Sequence, residues 1–75
     1  MERGRSIRLE DIPIAESINI IPQIAIGMPR AKFEYLLQEY GDRMFCVRDA
    51  NQPHIVFCIV YGTTIMVVLR EAEEQ

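Results

Sequence analysis

The sequence has no tryptophan, one histidine, two cysteines and only four residues each of glycine and proline. Each scarcity removes a class of explanation. His54, Cys46 and Cys58 are three potential metal ligands without CxxC or HxxxH spacing, too few for a four-ligand zinc knuckle. Two cysteines make no disulfide scaffold, and they read as free, buried thiols in a reducing compartment. No stretch approaches the roughly 18–20 uninterrupted apolar residues of a spanning helix, which argues against a membrane partner. Residues 1–11 are charged throughout and lack the apolar core of a secretory signal, so the expected location is the cytoplasm. The motifs GxGxxG, HExxH, GxSxG, the Walker-type phosphate loop and the EF-hand loop are all missing. With serine and threonine also few, no Ser/His/Asp constellation can be drawn, and no cofactor is expected. An enzyme is therefore the less favoured reading.

What is present is apolar mass in a short chain. Hydrophobic residues are 49% of 75 and the formal net charge is −3, which describes one small domain over 1–75. A chain of this size buries only about 60% of its unfolded surface. Residues 1–11 read as a charged, flexible N-terminus, and 71–75 as an acidic, frayed tail.

The central segment has the clearest pattern. Phe33, Leu36, Leu37 and Tyr40 fall at i, i+3, i+4 and i+7, one face of a helix. Pro29 suits its first turn and Gly41 the position just past its end, which predicts an amphipathic helix over 29–40. After Gly41 the pattern changes to short runs rich in β-branched and aromatic residues. The turn cluster 49–53 and the pair Gly62-Thr63 divide them into strands at 43–49, 55–61 and 64–70. The expected fold is α+β, the helix packed on a three-stranded antiparallel meander. The N-terminal third places seven isoleucines within Ile12–Ile26, interrupted by Pro13 and Pro22. It reads as an irregular arm, with a short helix near 12–19 followed by an extended stretch ending at Gly27.

Strand register decides what this meander presents. A loop of 50–53 sets Cys46 opposite Phe57 and places the two cysteines on opposite faces. Pairing Asp49 with Ile55 instead sets Cys46 opposite Cys58. In either case both sheet faces are apolar, unlike a sheet with one wet side. One short helix covers only one face. The surplus points to a homodimer joined through sheet faces or edges, with Phe45, Val47, Val56, Val60, Ile65 and Val67 as the partner surface. The competing reading is a monomer whose N-terminal arm lies across the second face.

Three polar groups could carry chemistry. His54 begins the second strand and, in the first register, stands between Asp49 and Glu71, a placement suited to a weak catalytic candidate or a strand-end charge pair. Arg48 and Arg70 are expected as neighbours at one end of the sheet, where paired guanidinium groups grip phosphate. Arg3, Arg5 and Arg8 form a second basic cluster, diluted by Glu2, Glu10 and Asp11. The favoured function is a small, non-catalytic protein-interaction or regulatory module acting as a homodimer, whether or not it also holds another protein. The alternative is a minimal RNA-binding or toxin-type ribonuclease-like protein using Arg43, Arg48, His54 and Arg70, a partner class that the net negative charge disfavours.

Overall fold

The structure, a computed structural model, describes residues 8–16 and 18–71. Arg3, Arg5 and the end of the acidic tail lie outside the described residues. The fold is α+β, with one helix on a five-stranded mixed sheet. In chain order, a 3-10 turn at Leu9–Asp11 precedes β1 (Ile14–Ala15), β2 (Ile24–Pro29) and α1 (Arg30–Tyr40). A second 3-10 turn at Gly41–Arg43 leads into β3 (Phe45–Asp49), β4 (Ile55–Val60) and β5 (Thr63–Arg70). The sheet order is β1-β3-β4-β5-β2.

The helix and the antiparallel core of the sheet follow local rules. Pro29 has the fixed φ of its ring and an extended ψ, so it is the last residue of β2 and the N-cap of α1 at once. Phe33 and Leu37, one turn apart, are each 1% exposed. They pack with Val56, Cys58, Val67 and Leu69 of the sheet, each fully buried aromatic or aliphatic group contributing roughly 1.5–3 kcal/mol. Leu9 and Ile12 complete this core. The charged N-terminus is thus not loose along its whole length, since Leu9 is as buried as Phe33.

The N-terminal third corrects the sequence reading most. The described residues of 12–19 form no helix, and the N-terminal third supplies both edge strands. β1 pairs in parallel with β3, and β2 pairs in parallel with β5. Pro13 and Pro22 break helical hydrogen bonding, and isoleucine favours the pleated surface. Parallel pairing between segments so far apart in the chain leaves no local turn signature, so three strands are foreseen and five are formed.

Both hairpins differ in register from the first expectation. Cys46 lies opposite Cys58 and Phe45 opposite Ile59, a one-residue slip that turns β3 over relative to β4. In the second hairpin Val60 faces Thr63, so the loop is Tyr61-Gly62 and not Gly62-Thr63. Tyr61 has φ 51° and Gly62 φ 77°, the positive values that a two-residue hairpin turn of the I′ type demands. The predicted loop would have placed β-branched Thr63 in that region, where branching at Cβ is most costly. The resulting shift of two residues keeps β4 and β5 on their expected faces.

One face, under α1, therefore carries Cys46, Arg48, Val56, Cys58, Val60, Ile65, Val67 and Leu69. The other carries Phe45, Val47, Ile55, Phe57, Ile59, Met66 and Val68. Phe57 is only 9% exposed although it stands outside the core beneath α1. The chain leading to β2 accounts for this. It starts beside Asp49 at one edge and reaches Ile24 beside Ile65 at the other. Four strand spacings are roughly 19 Å and nine extended residue steps reach roughly 30 Å, so the segment is long enough to cross a face of the sheet. α1 carries the β2-to-β3 crossover on one side, and the right-handed sense of parallel crossovers puts this oppositely directed connection on the other, the Phe57 side. Ile18, Ile20 and Pro22 are half-buried and alternate with exposed Asn19, Ile21 and Gln23, as an extended strap with one side down requires. Gln23 ties the strap to β5: its N–H donates to the Thr64 carbonyl at 2.8 Å, and its side-chain oxygen accepts from the Thr64 N–H at 3.0 Å.

Candidate functional site

Two concavities lie at opposite ends of α1. At its C-terminal end, an open groove of about 280 Å³ separates the helix from the sheet. Its walls are Phe33 and Leu36 of α1, Cys58 and Val60 of β4, Ile65 and Val67 of β5, and Ile26 and Met28 of β2. The exposed side chains Tyr40, Arg43 and Tyr61 stand at its rim. The Arg43 guanidinium lies 5.8 Å from the centre of the Tyr40 ring, a cation–π contact that holds it beside the helix end. Of the helix side chains on the sheet side, Phe33 and Leu37 are buried, whereas Leu36 is half-buried and Tyr40 exposed, and the groove lies beneath the latter two.

The groove opens onto β2, an edge strand. Every residue of Ile24–Pro29 except Met28 is exposed, and the strand carries no charge and no bulge. Most natural edges are blunted by lysine, internal proline or a covering element. Here the only proline is the last residue, and the outer row of amides and carbonyls has no strand partner among the described residues. Ile24 and Ile26 point toward the helix side, extending the apolar surface past the rim.

Beneath the groove sit the two thiols. Cys46 and Cys58 are free and buried, with their Sγ atoms 3.1 Å apart. The shared hydrogen bond holds Cys46 below the usual thiol range against the opposing effect of burial. The same bond pushes Cys58 far upward, with burial and the neighbouring sulfur charge acting in the same direction. Loss of one proton from the pair thus opposes loss of the second, and the pair lies in the register that the first expectation did not prefer.

At the start of α1 lies a second cavity of about 260 Å³, polar where the groove is apolar. Arg30, Arg48, His54 and Glu71 line it together with Leu9, Pro53 and Leu69. Arg48 Nη2 donates to the Pro53 carbonyl at 3.1 Å, while its buried Nε finds no acceptor among the described residues. Such an orphaned donor costs about 1–3 kcal/mol. Arg30 is shared between Glu34 at 3.4 Å and Glu71 at 3.5 Å. The His54 carbonyl accepts from Leu69 N–H at 2.8 Å, and an Asp49–Asn51 side-chain turn shapes the loop before it.

The sequence candidates divide between these places. Arg48 and His54 come together in the cleft, joined by Arg30, which the sequence pattern did not single out. Arg70 does not join them, because it lies on the opposite sheet face, in phase with Val68 and Met66. Arg43 is at the other end of the helix, and Asp49 faces away from His54. Of the expected partner surface, Val60, Ile65 and Val67 line the groove, and Val56 is fully buried in the core. Phe45 and Val47 lie on the strap side, Phe45 being 70% exposed. Among the described residues no cluster of three or more His, Cys, Asp or Glu side chains could hold a metal ion, and no helix is long and apolar enough to cross a membrane. Comparisons with protein-family models, with curated proteins and with solved structures find no match to this chain.

Proposed function

We propose that this chain is a small, non-catalytic interaction module that acts as a homodimer by joining two copies of β2 edge to edge. The observation that carries the reading is the open, uncharged edge of Ile24–Pro29 running beside an open apolar groove. Two such edges related by a twofold axis are self-complementary, and antiparallel pairing satisfies the outer row of backbone groups. Ile24 and Ile26 of one copy then cover the rim of the other's groove, and no like charges meet although each chain is acidic. The strap already shields the centre of the second face, which favours an edge over a face as the joint. A cytoplasmic setting suits the two free thiols.

The alternative of an RNA-binding or ribonuclease-like protein draws support from Arg48 and His54 in one cleft. It is weakened by Arg70 on the other face and Arg43 at the other end of α1. Sedimentation equilibrium tests the homodimer. The expected result is twice the chain mass at micromolar concentration, and the chain mass alone for Ile26→Lys. A wild-type chain that stays monomeric at high micromolar concentration contradicts the reading, including the case in which the edge serves a different protein.

A further inference from the structure

We propose that the cleft at the start of α1 is a binding site for a phosphate group, free or carried by a small phosphate monoester, held by Arg30, Arg48 and His54. Three elements deliver these side chains to one cavity: the first residue of α1, the fourth residue of β3 and the loop before β4. Guanidinium forks match phosphate oxygens in geometry as well as charge, and a dianion is the ligand that two of them plus an imidazole suit. Arg48 is already fixed, since its Nη2 is tied to the Pro53 carbonyl at 3.1 Å. Its Nε is enclosed by the protein, with no acceptor among the described residues, so the guanidinium meets a ligand in the cleft through its Nη atoms. His54 is held at the cleft by the backbone bond from Leu69 and presents an imidazole N–H in either protonation state.

Two further features define how the site works. Glu71 lines the cleft and places its carboxylate 3.5 Å from Arg30, yet its side chain is 80% exposed. It is an internal anion on a weak tether, and a phosphate would displace it from Arg30. The N-cap Pro29 offers no side-chain cap and the first turn of α1 has no acidic residue, so the positive helix end adds to the same field. A nucleic acid fits the cleft less well. The apolar walls, Leu9, Pro53 and Leu69, are aliphatic and give no stacking platform, and Arg70 lies on the opposite face, so no basic track leads away.

Calorimetric titration of the full chain with inorganic phosphate, with glycerol phosphate and with a short single-stranded RNA tests the assignment. Saturable binding of either phosphate probe is expected. Stronger binding of glycerol phosphate identifies an esterified ligand, and equal or stronger binding of inorganic phosphate identifies the free anion. Arg48→Met is expected to weaken it about tenfold or more, and Arg30→Gln and His54→Gln several-fold. Glu71→Gln should tighten it, and Arg70→Met should leave it unchanged. Because Arg48 is partly buried, Arg30→Gln and His54→Gln, at more open positions, keep the test independent of folding. The proposal is overturned if neither probe binds the wild-type chain, if affinity survives both of those substitutions, or if RNA binds more tightly than either probe and depends on Arg70.

Discussion

The start of α1 and its end stand over surfaces of different kinds. Around Arg30 the cleft is built where β3 and β5 finish and where a turn rich in Asp, Asn and Pro enters β4, so polar side chains collect there. Around Tyr40 the groove is bounded by a two-residue hairpin that contributes only Tyr61 and Gly62, so the strands run apolar to their ends. The helix is the same and the sheet is the same; the connecting loops make the difference. The proposed associating surface and the proposed anion-binding cleft thus draw on different loops around a single layer contact.

That contrast can be broken at several points. The largest effect is expected from Phe33→Ala, which removes a fully buried ring from the core between α1 and the sheet. It should cost about 3–5 kcal/mol in denaturant unfolding, a major part of the stability of so small a domain, and abolish dimer and phosphate binding together. Ile26→Lys should separate the two ends, weakening association by at least about tenfold while leaving phosphate affinity and the circular dichroism spectrum intact. Arg48→Met should produce the converse, losing phosphate binding with the sedimentation behaviour unchanged.

Smaller effects sharpen the same comparison. Tyr61→Asn replaces an aromatic residue at positive φ with one that tolerates it, and should raise thermal stability by roughly 0.5–1 kcal/mol while weakening the dimer by removing a rim group. Gly62→Ala should cost about 1 kcal/mol through backbone strain alone, since no atom lies within 4 Å of the added methyl. For the thiols, titration by thiolate ultraviolet absorbance should show one ionisation, below the usual thiol range, in the folded chain. Unfolding should release the second, because Cys58 is held protonated by its neighbour and by burial.

The helix was readable from Phe33, Leu36, Leu37 and Tyr40, and three strands were readable from their β-branched runs, because these signals are local. The two parallel edge strands were not, since Ile14 meets Arg48 and Ile24 meets Ile65 across long stretches of chain. Register was lost by one residue at the first hairpin because 49–54 contains several acceptable turns, and Asp49 closing onto Asn51 selected one of them. That slip moved Arg48 to the helix side, where it meets Arg30, and left Arg70 behind. The apolar surplus was legible as a count, but its division between a strap, a core and an open edge required the fold.

The proposed association surface and the proposed anion cleft use separate residues, and amide spectra of the labelled chain test that division directly. Dilution should shift signals of Ile24, Ala25, Ile26 and Tyr61, whereas added inorganic phosphate at fixed protein concentration should shift Arg30, Arg48 and His54 and leave the first set in place. Shifts confined to neither set, or both perturbations falling on the same residues, would contradict it.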